Sequence, residues 1–480
     1  MTELAYSSAT DLADRIRDGE LSPVDVIETC LDRIDARNDA TNAFLTVTGD
    51  RARENAREAE HAVENGEDLG PLHGVPVAVK DLNHVAGVPT TFGSRLFEGF
   101  VPEKSDPFVS RLEAAGAIVV GKTNTPEFGL GCTTDNRVVG PTPTPFDLDR
   151  VGGGSSGGAG AALADGLVPL AQGSDTGGSI RTPAAFCGVY GLKPSFGRVP
   201  IVDRPNGFSA LAPFSHLGPM ARTVEDAALL LDVLAGPHPR DPFSLPASEK
   251  AYRDSVGWGI DDFEVAYSPD MGTYPVESAV EEVVSEATDG FVEAGATVTE
   301  VEMDLGATQA EILESYYTFA RASWNALFDR LEDQHDLDPR GTDREELRPV
   351  TRETILDADR PTTAEIEESE VVRTGVFDGV QDVLANFDLL VTPTLAVPPF
   401  PIGEPPTEVS GIEVEALRGW VLTQPFNFSG HPVASIPAGF VEGLPIGMQV
   451  VGRRHADSEV LAASAAYERA RPWQDAYPPR

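Results

Sequence analysis

Two glycine-rich stretches carry serines where backbone can approach closely, and a lone lysine ends an apolar run upstream of both. The first stretch is Gly152-Gly153-Gly154-Ser155-Ser156-Gly157-Gly158, followed by the small-residue run Ala159 to Ala164. Glycine removes side chains there, so that a ligand or another segment can come near the backbone. The second, Gly173-Ser174-Asp175-Thr176-Gly177-Gly178-Ser179-Ile180-Arg181, leads two glycines into Ser179 at an expected helix start. Unpaired N–H groups converge at such a start and offer an oxyanion site beside a hydroxyl. The third piece is Gly74-Val75-Pro76-Val77-Ala78-Val79-Lys80-Asp81, an expected strand whose end carries the lysine.

Each piece alone has a plainer reading. The heptad resembles a flexible Gly/Ser linker, but a linker would not run straight into an alanine-rich helical stretch and an apolar strand. No Lys-Ser or Lys-Thr follows it, as a phosphate loop requires. Gly153-Gly154-Ser155-Ser156-Gly157 fits a nucleophile elbow, which needs a strand immediately before the serine, and 143–150 shows no strand character. Ser179 alone reads as an N-cap, and Lys80 alone as a surface lysine just past a strand.

Together these segments resemble the amidase signature family of serine hydrolases, over about 72–236, with weaker similarity over 388–468. The resemblance implies Ser179 as the acyl-forming nucleophile, Ser155 as a bridging serine on an unusual cis peptide, and Lys80 as the base. It further implies that the N–H groups of Thr176, Gly177, Gly178 and Ser179 bind the oxyanion, with Ser156, Asp175 and Arg181 as supports. A single α/β domain is implied, with a central mixed β-sheet flanked by helices on both sides. Two loops depart from the family pattern, Leu82-Asn83-His84 and Pro143-Thr144, which bears on substrate choice and leaves the triad residues in place.

Physical chemistry is consistent with this. A serine hydroxyl is a poor nucleophile until a base takes its proton, and a neutral lysine does so when burial lowers its pKa. The 77 acidic against 36 basic residues give a formal charge of −41, which favours the ammonium form, so local desolvation has to win at Lys80. Lysine is scarce: only Lys80, Lys104, Lys122, Lys193 and Lys250 are present, and the other basic residues are arginine. Lys122 and Lys193 are assigned packing or surface roles, and His73 and His84 structural, hydrogen-bonded ones. Cys30, Cys132 and Cys187 are too scattered to staple the chain and read as buried thiols. No His or Cys pair has metal spacing, and the reaction the resemblance implies needs neither metal nor organic cofactor.

The elements that must position these groups alternate. Ser22-Pro23 opens a helix carried by Val24, Val26, Ile27, Cys30, Leu31 and Ile34, and a second helix covers about 50–64. Strands are expected at 75–79, 117–120 and 168–171, helices at 107–115 and 224–234, and a connector at 237–257. Strand 263–267, helix 276–294, strand 296–303 and long helices at 308–331 and 363–386 follow. Acidic surface loops are expected at 334–348 and 398–409, and strands at 389–392, 433–437 and 446–451 complete the sheet. The expected division is N-terminal helices at 1–70, a core at 72–236, a variable insert at 237–387 and a sheet-completing part at 388–480, all in one domain.

The charge excludes an ordinary nucleic-acid binder, and no apolar window reaches the roughly 18 residues of a membrane span. The N-terminal residues lack a secretory pattern, so a cytoplasmic address is expected. Acidic residues spread along the whole chain point to a protein adapted to salt, which shortens the Debye length to about 3 Å at 1 M. The reaction expected from the resemblance is hydrolysis of a small-molecule amide to acid and ammonia or amine. Gly129, Gly131 and Cys132 are expected at the substrate, with Tyr316, Tyr317, Phe319, Trp324, Trp420 and Phe426 as an aromatic wall or as plain core. The alternatives are the glutaminase subunit of a tRNA-dependent amidotransferase, which would need partner subunits, and a catalytically silent scaffold. A homodimer is compatible with any of these.

Overall fold

The computed structural model describes residues 2–208, 214–335 and 337–478. Its frame is an eleven-stranded mixed sheet. In chain order the strands are β1 (Phe44–Val47), β2 (Pro76–Lys80), β3 (Ile118–Thr123), β4 (Leu170–Asp175), β5 (Tyr190–Lys193), β6 (His216–Ala221), β7 (Glu264–Tyr267), β8 (Thr297–Glu300), β9 (Leu389–Pro393), β10 (Val433–Val441) and β11 (Leu444–Gly452). Their spatial order is β1-β3-β2-β4-β6-β5-β10-β11-β9-β7-β8, so strands from both sides of Gly257 share one sheet. The pairs β2·β3 and β2·β4 are parallel, and β4·β6 is antiparallel.

The central strands are apolar runs because both faces are covered. Val77 and Val79 point into one core layer and Ala78 into the other, with Val119 and Ile118 divided the same way. Lys80 shares the parity of Ala78, and that face carries the small-residue helix Gly157–Ala164. The first long helix, Pro23–Thr41, starts as its residues dictate: Ser22 Oγ accepts the N–H groups of Val24 and Asp25, and proline occupies the first turn, where an N–H would be unpaired anyway. Helices Gly49–Glu64, Pro107–Ala114, Val224–Leu234, Gln309–His335 and Thr363–Leu384 stand where the hydrophobic periodicity places them.

Several expectations are corrected. Residues 143–150 do contain strand: Pro143–Thr144 pairs with Asp147–Val151 in a two-stranded ribbon. The expected helix over 276–294 is two, Ser278–Ala287 and Asp289–Glu293, and strand β8 is shorter than 296–303. The helix ending at His335 takes over the start of the loop expected at 334–348, of which residue 336 lies outside the described residues. Segment 398–409 is not all surface, because Phe400 is buried with its ring 4.9 Å from that of Trp420. The three cysteines are free and buried, as expected.

Candidate active site

Lys80 is the last residue of β2, and its side chain has no solvent exposure. Its Nζ donates to Ser155 Oγ at 2.7 Å and to Ser174 Oγ at 2.9 Å. Neither acceptor carries charge, so the cost of burying an ammonium is not repaid by a counter-ion. Burial therefore lowers the Lys80 pKa to about 7, with the more distant Asp175 carboxylate pulling the other way.

Ser155 follows a cis Gly154–Ser155 peptide, as the resemblance implied. Glycine is needed just before it, because a Cβ on Gly154 would lie 2.6 Å from the carbonyl carbon of Thr133. The next residue ties the two serine segments together: Ser156 N–H donates to the Ser179 carbonyl at 3.1 Å, and Ser156 Oγ donates to the Ser174 carbonyl at 3.3 Å. Ser179 is nearly buried, and among the described residues its Oγ has no hydrogen-bond partner. Lys80 thus meets Ser155 as expected, whereas Ser155 and Ser179 are not joined by a hydrogen bond.

Asp175 ends β4 and braces the loop that carries Ser179. Its carboxylate accepts the N–H of Gly178 at 2.8 Å and of Ile180 at 3.2 Å, and Arg181 holds it through Nε at 3.0 Å and Nη2 at 2.9 Å. Burial alone would raise the Asp175 pKa. The Arg181 charge and its hydrogen bonds, aided by Asn427, hold it well below the usual carboxylate range. Arg181 in turn donates to the Thr423 carbonyl, Gln449 Oε1 and Asn427 Oδ1. Among the described residues the N–H groups of Gly177 and Ser179 have no acceptor, while that of Gly178 is committed to Asp175.

Of the expected substrate residues, Gly129 stands at this centre. Gly129 approaches Ser155 so closely that a Cβ on it would stand 3.5 Å from Ser155 Oγ and 2.7 Å from a Leu82 methyl. Gly131 and Cys132 line a cavity of about 400 Å³ that Tyr317, Trp324 and Trp420 also face. Tyr316 packs its ring on Gly177, while Phe319 stacks edge-on against Phe214 and Phe426 is core.

Sequence reasoning missed Ser174, Gln172, Thr423, Asn427 and Gln449. The first two left a signal, since polar residues two apart in an otherwise apolar strand mark one face. Gln172 Oε1 accepts the backbone N–H of Lys80 at 3.2 Å, and Ser174 takes its ammonium hydrogen. The others come from the far end of the chain, and nothing local announces them. Also missed was a second cavity, of about 510 Å³, where Phe92, Phe97, Phe100 and Phe128 gather beside Leu82 and Leu217. His84 faces these rings instead of being tied down as a structural histidine, whereas His73 Nε2 does meet the Ala59 carbonyl at 2.9 Å.

Lys122 and Lys193 are wholly internal. Lys122 Nζ donates to Asp81 Oδ1 at 2.8 Å and Thr90 Oγ1 at 2.9 Å, and Lys193 Nζ meets the His431 carbonyl and His216 Nε2. Among the described residues no His, Cys, Asp and Glu group could hold a metal ion, and no helix is long and apolar enough to cross a membrane.

The chain is 37% identical to an acylamidase of Rhodococcus erythropolis over 483 residues, covering all of this chain and 98% of that one. It is 34% identical to a glutamyl-tRNA(Gln) amidotransferase subunit of Chloroflexus aurantiacus over 496 residues, covering all of this chain and 99% of that one. A solved structure of a bacterial aryl acylamidase superposes with a TM-score of 0.95 at 36% identity, covering 98% of both chains. With the model of the Amidase family matching residues 25–461, the chain belongs to the amidase signature family, whose members compared above include amide hydrolases.

Proposed function

We propose that the protein hydrolyses carboxylic amides through an acyl-enzyme on Ser179, with Lys80 as base and Ser155 as relay. The observation that carries the proposal is the buried Lys80 amine donating to Ser155 Oγ at 2.7 Å with no carboxylate beside it. Ser179 Oγ attacks the amide carbon while its proton passes to Ser155 and the Ser155 proton to Lys80 Nζ. The tetrahedral oxygen takes the free N–H groups of Gly177 and Ser179, with Thr176 at the head of the loop. Gly178 serves differently from the expectation, since its N–H holds Asp175. Donors of this kind are each worth about 3 kcal/mol in the transition state. The proton then returns to the leaving nitrogen as the C–N bond breaks, and water cleaves the ester by the same relay in reverse.

Aryl and acyl amides fit the two cavities, because one gathers phenylalanine rings and the other presents Tyr317, Trp324 and Trp420. The identity to an acylamidase supports the same class. The formal net charge of −41 supports work in a salt-rich cytoplasm without nucleic acid as a ligand. The test is labelling with a fluorophosphonate, followed by a panel of aliphatic, aromatic and amino-acid amides at high salt. Labelling that disappears in Ser179→Ala, with turnover of aryl or acyl amides by the chain alone, is expected. An unlabelled native protein would favour a scaffold, and glutamine-dependent activity arising only with partner subunits would favour the amidotransferase. Full activity and fold after dialysis into low salt would refute the salt adaptation.

A further inference from the structure

The cavity of about 400 Å³ contains two arginines that lack an ion-paired counter-charge. Arg418 is 3% exposed, and among the described residues its side chain donates only to the Cys132 thiol, Nη1 to Sγ at 3.2 Å. Arg348 lines the same cavity, and its Nη1 is buried without any acceptor. The other deep arginines are satisfied: Arg181 by Asp175, Arg198 by Asp457, and Arg222 by the carbonyls of Leu163 and Val168. A guanidinium carries five donors, and a thiol is a weak acceptor. Leaving such a group buried and unpaired is costly, yet a chain with 77 acidic residues places no carboxylate within ion-pair distance of either arginine among the described residues. Three acids come near without pairing, the first being Glu127, whose charge reaches Arg348 but whose carboxylate accepts the Arg348 backbone N–H and the Ser94 hydroxyl, each at 2.8 Å. Asp135 lies on the cavity wall and its charge reaches Arg348, but it is exposed and forms no ion pair. The Glu415 charge reaches Arg418, but its carboxylate accepts the Arg418 backbone N–H at 2.8 Å and the Tyr317 hydroxyl at 3.3 Å instead of the guanidinium.

We propose that Arg418 and Arg348 receive a carboxylate carried by the amide substrate. The planar guanidinium fork matches a carboxylate with two parallel hydrogen bonds. The position relates this site to the chemistry: the Arg418 guanidinium stands 4.7 Å from the centre of the Tyr316 ring, and the same ring packs on Gly177, two residues before Ser179. The anion is therefore held about one aromatic ring away from the oxyanion loop. Substrates of this class carry the scissile amide and the carboxylate on opposite ends of a ring or a short acyl spacer. The inference rests on the amidase reading and narrows its substrate class.

Calorimetric titration of the Ser179→Ala protein with para-acetamidobenzoate and with its neutral counterpart, para-acetamidobenzamide, at one fixed chloride concentration tests it without requiring turnover. The carboxylate is expected to bind at least tenfold more tightly, and adding Arg418→Gln or Arg348→Gln is expected to abolish the difference. Equal binding of the two compounds, no binding of either, or a preference that survives both replacements would overturn the proposal. Arg348 is less buried, so its variant keeps the test open if Arg418→Gln does not fold, and fluorophosphonate labelling of each arginine variant with Ser179 intact reports whether the site persists. Failure of the native protein to label counts against the catalytic reading alone, because the binding comparison stands apart from it.

Discussion

Two lysines on adjacent strands are equally hidden from water and differ only in what receives their protons. Lys80 on β2 and Lys122 on β3 both have no solvent exposure. Lys122 has the Asp81 carboxylate at 2.8 Å, which opposes the lowering of its pKa by burial and makes it one half of an internal ion pair. Lys80 has two hydroxyls, and the acid whose charge reaches it, Asp175, is already bound by Arg181. Desolvation disfavours the ammonium at both places, but only at Lys80 is it left largely unopposed. Burial alone does not make a base: Lys193 is as deeply buried against neutral partners, and what sets Lys80 apart is a serine hydroxyl beside it that can pass a proton on.

The largest effects should come from erasing that base. In Lys80→Met, kcat/KM for any amide the protein turns over is expected to fall about 10⁴-fold, as when a triad member is removed elsewhere. Stability at neutral pH should not fall, because the variant removes a desolvated amine and breaks no ion pair. A Lys80→Met protein that keeps its turnover would end the comparison.

Converting one site into the other is the sharper experiment. The reactive form of Lys80 is the neutral amine, so kcat/KM should climb about tenfold per pH unit below 7 and level off above it. Ser174→Asp would place a carboxylate beside Nζ, and an adjacent opposite charge moves a pKa by about 1–3 units toward the charged form. The rising limb should then shift upward, costing roughly five- to five-hundredfold at pH 7 and recovering in alkaline buffer. A rate lowered equally at every pH, with the limb unmoved, would show that the neighbour does not set the protonation.

How much of this could be read without coordinates follows the range of the interactions. Ser22-Pro23 and the apolar run at 75–79 declare their helix and strand locally, because caps and burial patterns act over a few residues, whereas the run at 168–171 overlaps only the start of β4, which continues through its polar residues to Asp175. Lys80, Ser155 and Ser179 were legible as motifs, and the structure brings Lys80 and Ser155 into contact. Ser174 left only the hint of a polar face on its strand, and the Asn427, Gln449 and Thr423 bracket on Arg181 left none, since those residues come from the far end of the chain. The ribbon at 143–151 was overlooked because its strands are held by pairing with each other and by the bridge from Arg150 to Pro401, not by an apolar pattern. The phenylalanines at 92, 97, 100 and 128 look like core spacing until the cavity between them appears.

Lys122 offers the converse of the first prediction. Lys122→Met should leave the Asp81 carboxylate buried and uncompensated, lowering unfolding stability by about 3–5 kcal/mol, measurable by denaturant titration. Asp81 also accepts from the Thr91 N–H at 2.9 Å and its hydroxyl at 2.6 Å, which anchors the loop leaving β2, so the loss should spread to that loop in hydrogen exchange. If Lys80→Met proved the more destabilising replacement at neutral pH, the roles assigned to the two lysines would be reversed.

The finest distinction concerns the second hydroxyl. Ser174 Oγ accepts from Nζ at 2.9 Å, and an acceptor is worth more to an ammonium than to an amine. Removing it in Ser174→Ala should lower the Lys80 pKa further and move the rising limb of kcat/KM to lower pH by less than about one unit. The maximal rate should change less than in Lys80→Met, because Ser155 still receives the other hydrogen bond. The direction is the test: a carboxylate at residue 174 should push the limb up and a methyl should push it down, with serine between them. A limb that moved the same way for both replacements would mean that residue 174 acts by shaping the strand end and not by setting how tightly Lys80 keeps its proton.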